Sequence, residues 1–242
     1  MILQYVTILL SFLGHLAIFF LVAPPLLSTL FKEYVEIRRK LPSKAQLIDS
    51  YVASMAHGTV VTIMCLILIY VDGIGIWTEP LFKGGLFFQI LTAFIIGYMA
   101  YDIISLKYVL GYQDYDFYLH HLAAGIGCFF AVSSGDYYYL ILVACMSEFV
   151  IPTLNTSQIM DLLGLQIRFP LLHAIMKYST AIIFISIRIM PIPFLFYGLF
   201  IHCIFGSLAP FMWKSVVLVT CYVVLSYLNC MWLKAAIFPT KM

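Results

Sequence analysis

The chain has 242 residues, of which 64% are hydrophobic and only 10% charged, with a net charge of +2 and a mean hydropathy of +1.04. Soluble domains carry about a quarter charged residues, so this chain lacks the polar side chains to cover a water-facing surface, and lipid must cover most of it. No basic tract interleaved with aromatics is present, which excludes a nucleic-acid-binding function.

Apolar runs predict transmembrane helices over 3–30, 50–71, 85–108, 117–134, 137–157, 170–190 and 212–234. The first run has no basic stretch before it and is too long for a signal-peptide core, so it is expected to be retained as a helix. The loop after it holds Lys32, Arg38, Arg39, Lys40 and Lys44, five of the thirteen basic residues. The positive-inside rule places that loop in the cytoplasm. Seven spans then bring Arg168, Lys234 and Lys241 to the same side. They leave 72–83, with Asp72, Glu79 and Lys83, and the turn Ser133-Ser134-Gly135-Asp136 on the other. The remaining stretch 191–211 contains Pro191, Pro193, Gly198, Gly206 and Pro210. The prolines argue for an interrupted or re-entrant segment there, with an eighth span as the alternative. The expected architecture is all-α: a polytopic membrane protein of about seven transmembrane helices, bundled around a lipid-accessible cavity, as one domain over 1–242.

Ionisable groups inside spans cost a few kcal/mol each and are functional candidates by default. Here they are His57, Asp102, His120, His121, Glu148, Lys177 and Arg188. Each could equally be a buried partner that fixes helix packing. Ser54 and His57 are three apart and share a surface. Glu148 and Asn155 are seven apart on one face, with Pro152 between them. Pro152 cannot donate to the Glu148 carbonyl, so a kink and an unpaired carbonyl are expected. Lys177 and Arg188, eleven apart, also share a face.

The tandem His120-His121 follows Asp114 and Asp116 and opens an apolar helix. Imidazole suits proton transfer near neutral pH and can act as a nucleophile towards acyl groups. Adjacent helical residues point about 100° apart, so one imidazole can face a cavity while the other packs. Asp102 or Glu148 is placed to orient the working ring. No HxxxH or ExxH spacing completes a metal ligand set, so no metal is expected. His15, His202 and His173 read as packed or interfacial residues. The six cysteines (Cys65, Cys128, Cys145, Cys203, Cys221 and Cys230) lie in apolar segments without CxxC spacing and read as free thiols.

Five blocks together resemble the TLC-domain family. They are Ser54-Met55-Ala56-His57, Gly97-Tyr98-Met99-Ala100-Tyr101-Asp102, His120-His121-Leu122, Ser147-Glu148-Phe149 through Pro152 to Asn155, and Ile187-Arg188-Ile189 before Pro191. Their order covers about 28–235. The resemblance implies an intramembrane cavity and an endoplasmic-reticulum or other endomembrane location, with a mitochondrial membrane as the alternative. Ceramide synthases of this family transfer an acyl group from acyl-CoA to a sphingoid amine and depend on the histidine pair. By that likeness His120, His121, Asp102 and Glu148 are the catalytic candidates, and His57, Asn155, Lys177 and Arg188 the substrate-binding ones. The Glu-Phe-x-x-Pro-x-x-Asn form, with few further acids, is closer to the small TLC-domain-containing proteins, whose members are tied to membrane lipid composition. Two readings therefore stay open. One is acyl transfer to a lipid amine or hydroxyl, with acyl-CoA as co-substrate and no resident cofactor. The other is a non-enzymatic lipid-binding protein or a subunit alongside other membrane proteins. Membrane lipids are the expected partners in both.

Overall fold

A computed structural model describes residues 1–72, 84–111, 115–135, 137–204 and 212–237, without the side chains of 72, 134, 198–204, 212, 215 and 235–237. Most of the 72–83 loop, Asp114, Asp136, 205–211 and Lys241, and the side chains of His202 and Cys203, lie outside the described residues. Every regular element among the described residues is helical. The elements are α1 (Ile2–Leu30), α2 (Lys32–Lys40), α3 (Pro42–Asp72), α4 (Leu86–Val109), α5 (Tyr115–Ser134), α6 (Tyr138–Leu163), α7 (Pro170–Tyr197, its last segment running Pro191–Ile204) and α8 (Met212–Ile237).

Six of these are long and apolar enough to cross a membrane: α1, α3, α4, α6, α7 and α8. The chain is a multi-pass integral membrane protein. Of the seven helices predicted from the sequence, 117–134 is the one outside this set. It forms the 20-residue α5, in which Asp116 and the two histidines dilute the apolar run. It packs between α4 and α8 inside the bundle.

The prolines do not interrupt α7, contrary to the expectation for 191–211. The backbone widens into a π turn at Phe184–Ile189, and the Met190 N–H reaches the Ile185 carbonyl at 2.9 Å. The ring of Pro191 then falls on a turn already loosened, and its missing N–H opens a new helical segment rather than breaking one. The same device precedes Pro24 and Pro25 in α1, where the π turn spans Ile18–Val22.

Lipid offers no hydrophobic drive between helices, so close backbone approach and buried hydrogen bonds hold them together. At Gly97, α4 lies against α1 so closely that an added Cβ would stand 2.6 Å from the Ser11 Cβ and collide with the Ile8 carbonyl. Ser11 then donates to the Phe94 carbonyl at 2.6 Å, and Gln4 donates to Gln89 at 2.7 Å. Gly58 does the same for α3 against α6, facing Ile151 and the Glu148 carbonyl. At the α5–α6 turn, Gly135 takes φ +71°, which lets its carbonyl accept from the Gly84 N–H at 2.9 Å. At the opposite end α2 is moored by a buried phenol: Tyr34 donates to Asp49 at 2.6 Å and accepts from Arg38 at 2.9 Å. Burial, then Asp49, holds the Tyr34 phenol well above its ordinary pKa, so it remains a donor.

Candidate functional site

The histidine pair divides between two environments, as adjacent helical residues must. His121 faces α4, where its Nε2 lies 3.0 Å from Asp102 Oδ2 and its Nδ1 lies 3.0 Å from the Phe117 carbonyl. Asp102, only 5% exposed, also accepts from the Tyr98 hydroxyl at 3.2 Å, one helical turn earlier. Both oxygens and nitrogens of this pair are thus engaged in fixing α5 to α4.

His120 points the other way, into a cavity of about 90 Å³ walled by α4, α5, α6, α7 and α8. Its ring lies 5.1 Å from that of Trp232, and its Nδ1 is buried without a hydrogen-bond partner. Glu148, Arg188 and Asn229 share the wall with it, while the rest is mostly aliphatic or thiol, including Cys128, Cys145 and Cys221. Arg188 is 7% exposed, and its Nε donates to the Ser147 carbonyl at 3.1 Å, which aims the guanidinium from α7 towards α6. Among the wall residues, Tyr222 carries the single benzene ring, so the cavity is not plugged by aromatics.

Behind Glu148 lies a second layer of rings. His57, 1% exposed, has its Nε2 3.8 Å from Glu148 Oε2 and stacks on Tyr98 at 3.7 Å between centroids. His15 sets its edge against both, 5.5 Å from His57 and 5.0 Å from Tyr98, and its Nδ1 meets the Ser11 carbonyl at 2.7 Å. The helices α1, α3, α4, α5 and α6 therefore share one polar interior. In it Glu148 touches both the cavity and this layer.

Three candidates are thus on the wall (His120, Glu148, Arg188), and three stand behind it (His57, Asp102, His121). Asn155 and Lys177 are elsewhere. Asn155 donates to the Tyr51 carbonyl at 3.2 Å, tying α6 to α3. Lys177 lies 3.4 Å from Asp161, which also meets His173 at 2.8 Å, at the α6–α7 end of the bundle. Nor is the Glu148 carbonyl orphaned by Pro152. A tight 3₁₀ turn over Met146–Val150 brings the Ile151 N–H onto it. Among the described residues no three His, Cys, Asp or Glu side chains come together to hold a metal ion.

Sequence reasoning passed over His15, Tyr98 and Asn229. Tyr98 sits at i−4 from Asp102, a readable spacing. Asn229 is an uncharged polar residue inside an apolar span, and attention to ionisable groups alone overlooked it. His15 carried no local signal, because its partners come from α3 and α4.

Comparison with known proteins agrees with this architecture. The chain resembles TLC domain-containing protein 4-B of Xenopus laevis, 28% identical over 154 residues, or 62% of this chain and 56% of that protein. It also resembles the protein of that name from Danio rerio, 25% identical over 189 residues, covering 76% of this chain and 68% of that protein. The match thus spans little more than half of the frog relative's length. No solved structure matches. The family model described as the TLC domain matches residues 48–237, taking in every wall residue of the cavity and the ring layer except His15. The chain belongs to the TLC-domain family, whose members are generally membrane proteins of lipid metabolism or lipid homeostasis.

Proposed function

We propose that this protein accepts the acyl chain of a membrane lipid in its cavity and transfers an acyl group to a lipid amine or hydroxyl, with acyl-CoA as co-substrate. The observation that supports this reading is an apolar, intramembrane cavity whose wall carries an imidazole, a carboxylate and a guanidinium together. His120 is the general base: it takes the proton of the attacking O–H or N–H as that atom adds to the thioester carbonyl. Arg188 stabilises the oxygen that becomes negative in the tetrahedral adduct. Collapse of the adduct breaks the C–S bond, and the CoA thiolate recovers the proton from His120. Glu148 stabilises the protonated imidazole, and the Asp102–His121 pair holds α5 in register. An endoplasmic-reticulum or other endomembrane setting, with α2 towards the cytoplasm, fits the basic loop of the sequence.

A second reading, a lipid-binding protein without turnover, draws on one specific feature. The carboxylate that would orient a catalytic imidazole, Asp102, holds His121 and not His120. Intact-mass and product analysis of the detergent-purified chain, given palmitoyl-CoA with sphingosine or a monoacylglycerol, separates the two. Free CoA and an acylated product in wild type, lost in His120→Ala with the fold retained, is the expected result. No product with any acceptor, alongside a lipid that co-purifies with wild type and variant alike, would move the assignment to binding.

A further inference from the structure

Two buried polar atoms on the cavity wall lack hydrogen-bond partners: His120 Nδ1 on α5 and Asn229 Oδ1 on α8. A buried acceptor left unpaired costs about 1–3 kcal/mol, and in the membrane no bulk water repairs it. One such atom would be an exception of packing; two on the same wall, from different helices, describe a vacancy with a chemistry.

That chemistry is specific. Oδ1 of Asn229 accepts only, and a neutral imidazole offers one acceptor nitrogen. Arg188, the cation of the same wall, can only donate, and its Nε is already committed to the Ser147 carbonyl. Glu148, the other acceptor, is drawn towards His57 on its far side. Around Asn229 the α8 face continues as Tyr222, Leu225 and Ser226, and the Tyr222 hydroxyl is spent on the Leu140 carbonyl at 3.1 Å. Trp232, one turn beyond Asn229, bears on the His120 ring.

We infer that His120 and Asn229 form a subsite for a lipid group bearing an O–H or N–H, the hydroxyl or amine end of a long-chain molecule. An ester, ether or alkyl terminus would leave both acceptors unpaired. The terminal torsion of the Asn229 side chain is soft, so a small rotation turns the oxygen onto such a ligand. The inference deepens the function proposed above and rests on the same cavity. It makes Asn229 a specificity-determining residue on the acceptor side, separate from the thioester oxygen assigned to Arg188.

A matched pair of probes tests it: cetyl alcohol and its methyl ether, which share a chain and differ in one O–H. Native mass spectrometry of the full chain in detergent gives the bound fraction of each. Wild type is expected to favour the alcohol by roughly tenfold, the effect of about one net hydrogen bond. Asn229→Leu should bring that ratio to about one while ether binding persists, and Asn229→Gln should restore part of it. Equal binding of alcohol and ether by wild type overturns the inference and leaves the cavity reading standing, a result that needs no variant to fold. If neither probe binds, or if Ala124→Trp in the wall displaces neither, the cavity is not the lipid site and both proposals fall. A preference that survives Asn229→Leu places the selecting group elsewhere and overturns the role of Asn229.

Discussion

Replacing each histidine of the tandem pair by alanine should give unequal losses of stability. His121→Ala removes a ring that contacts Asp102 and the Phe117 carbonyl, both at 3.0 Å. Asp102 would keep only the Tyr98 hydroxyl, at 3.2 Å. Removing one member of a buried, hydrogen-bonded ion pair costs about 3–5 kcal/mol; with Tyr98 still in place, about 3 kcal/mol is expected. His120→Ala removes a ring whose Nδ1 has no partner. Its main loss is the contact with Trp232, about 1 kcal/mol. For a chain of this size the difference corresponds to about 4–8 °C in Tm. Thermal unfolding in one detergent, followed by loss of monodisperse protein, or equilibrium unfolding in mixed micelles, reads it directly. His121→Gln, which can still donate to Asp102, should recover part of the loss. Should His120→Ala prove as damaging as His121→Ala, the division of the pair between packing and cavity would be wrong.

Three further outcomes follow from packing and mooring. Gly97→Leu should separate α1 from α4 and prevent a stable fold, because an added Cβ already meets Ser11 at 2.6 Å; expression and elution profile report it. Asn155→Ala should cost about 1 kcal/mol, the tie to the Tyr51 carbonyl, and leave lipid binding unchanged, as titration with the probe pair would show. Tyr34 has a pKa raised above that of the unfolded chain. Its contribution is therefore fully present below the ordinary phenol value of about 10 and fades as pH rises beyond it. Tyr34→Phe should lower stability at neutral pH and flatten this alkaline decline relative to wild type, as unfolding curves at several pH values would reveal.

The helices were legible because an apolar run of span length has few other fates. The residues that pack them were legible as types and not as directions. The sequence placed His120 and His121 on a helix but held no clue to which faces α4, since that depends on the rotation of α5 against a partner some 20 residues distant. Lys177 looked coupled to Arg188 through their shared face. The π turn at Phe184–Ile189 lies between them and breaks the phase of that count. Pro191 and Pro193 read as breakers for the same reason: periodicity cannot announce a turn that absorbs them. His15 joined the polar interior only through tertiary contacts with His57 and Tyr98.

A π turn holds one residue more than the α geometry on either side of it, and in α7 it falls inside the cavity wall. Ile187 and Arg188 belong to the turn, whereas Pro191, Ile192 and Leu195 lie beyond it. Deleting a single residue there would let an ordinary turn close and swing the later segment by about 100°, with Arg188 still anchored to Ser147. Insertions and deletions at this one point therefore exchange the aliphatic lining of α7 as a set, without touching the imidazole of α5 or the carboxylate of α6. Among related chains, variation in length at this turn should accompany a change in the shape of lipid accepted, while the polar groups of the wall stay where they are.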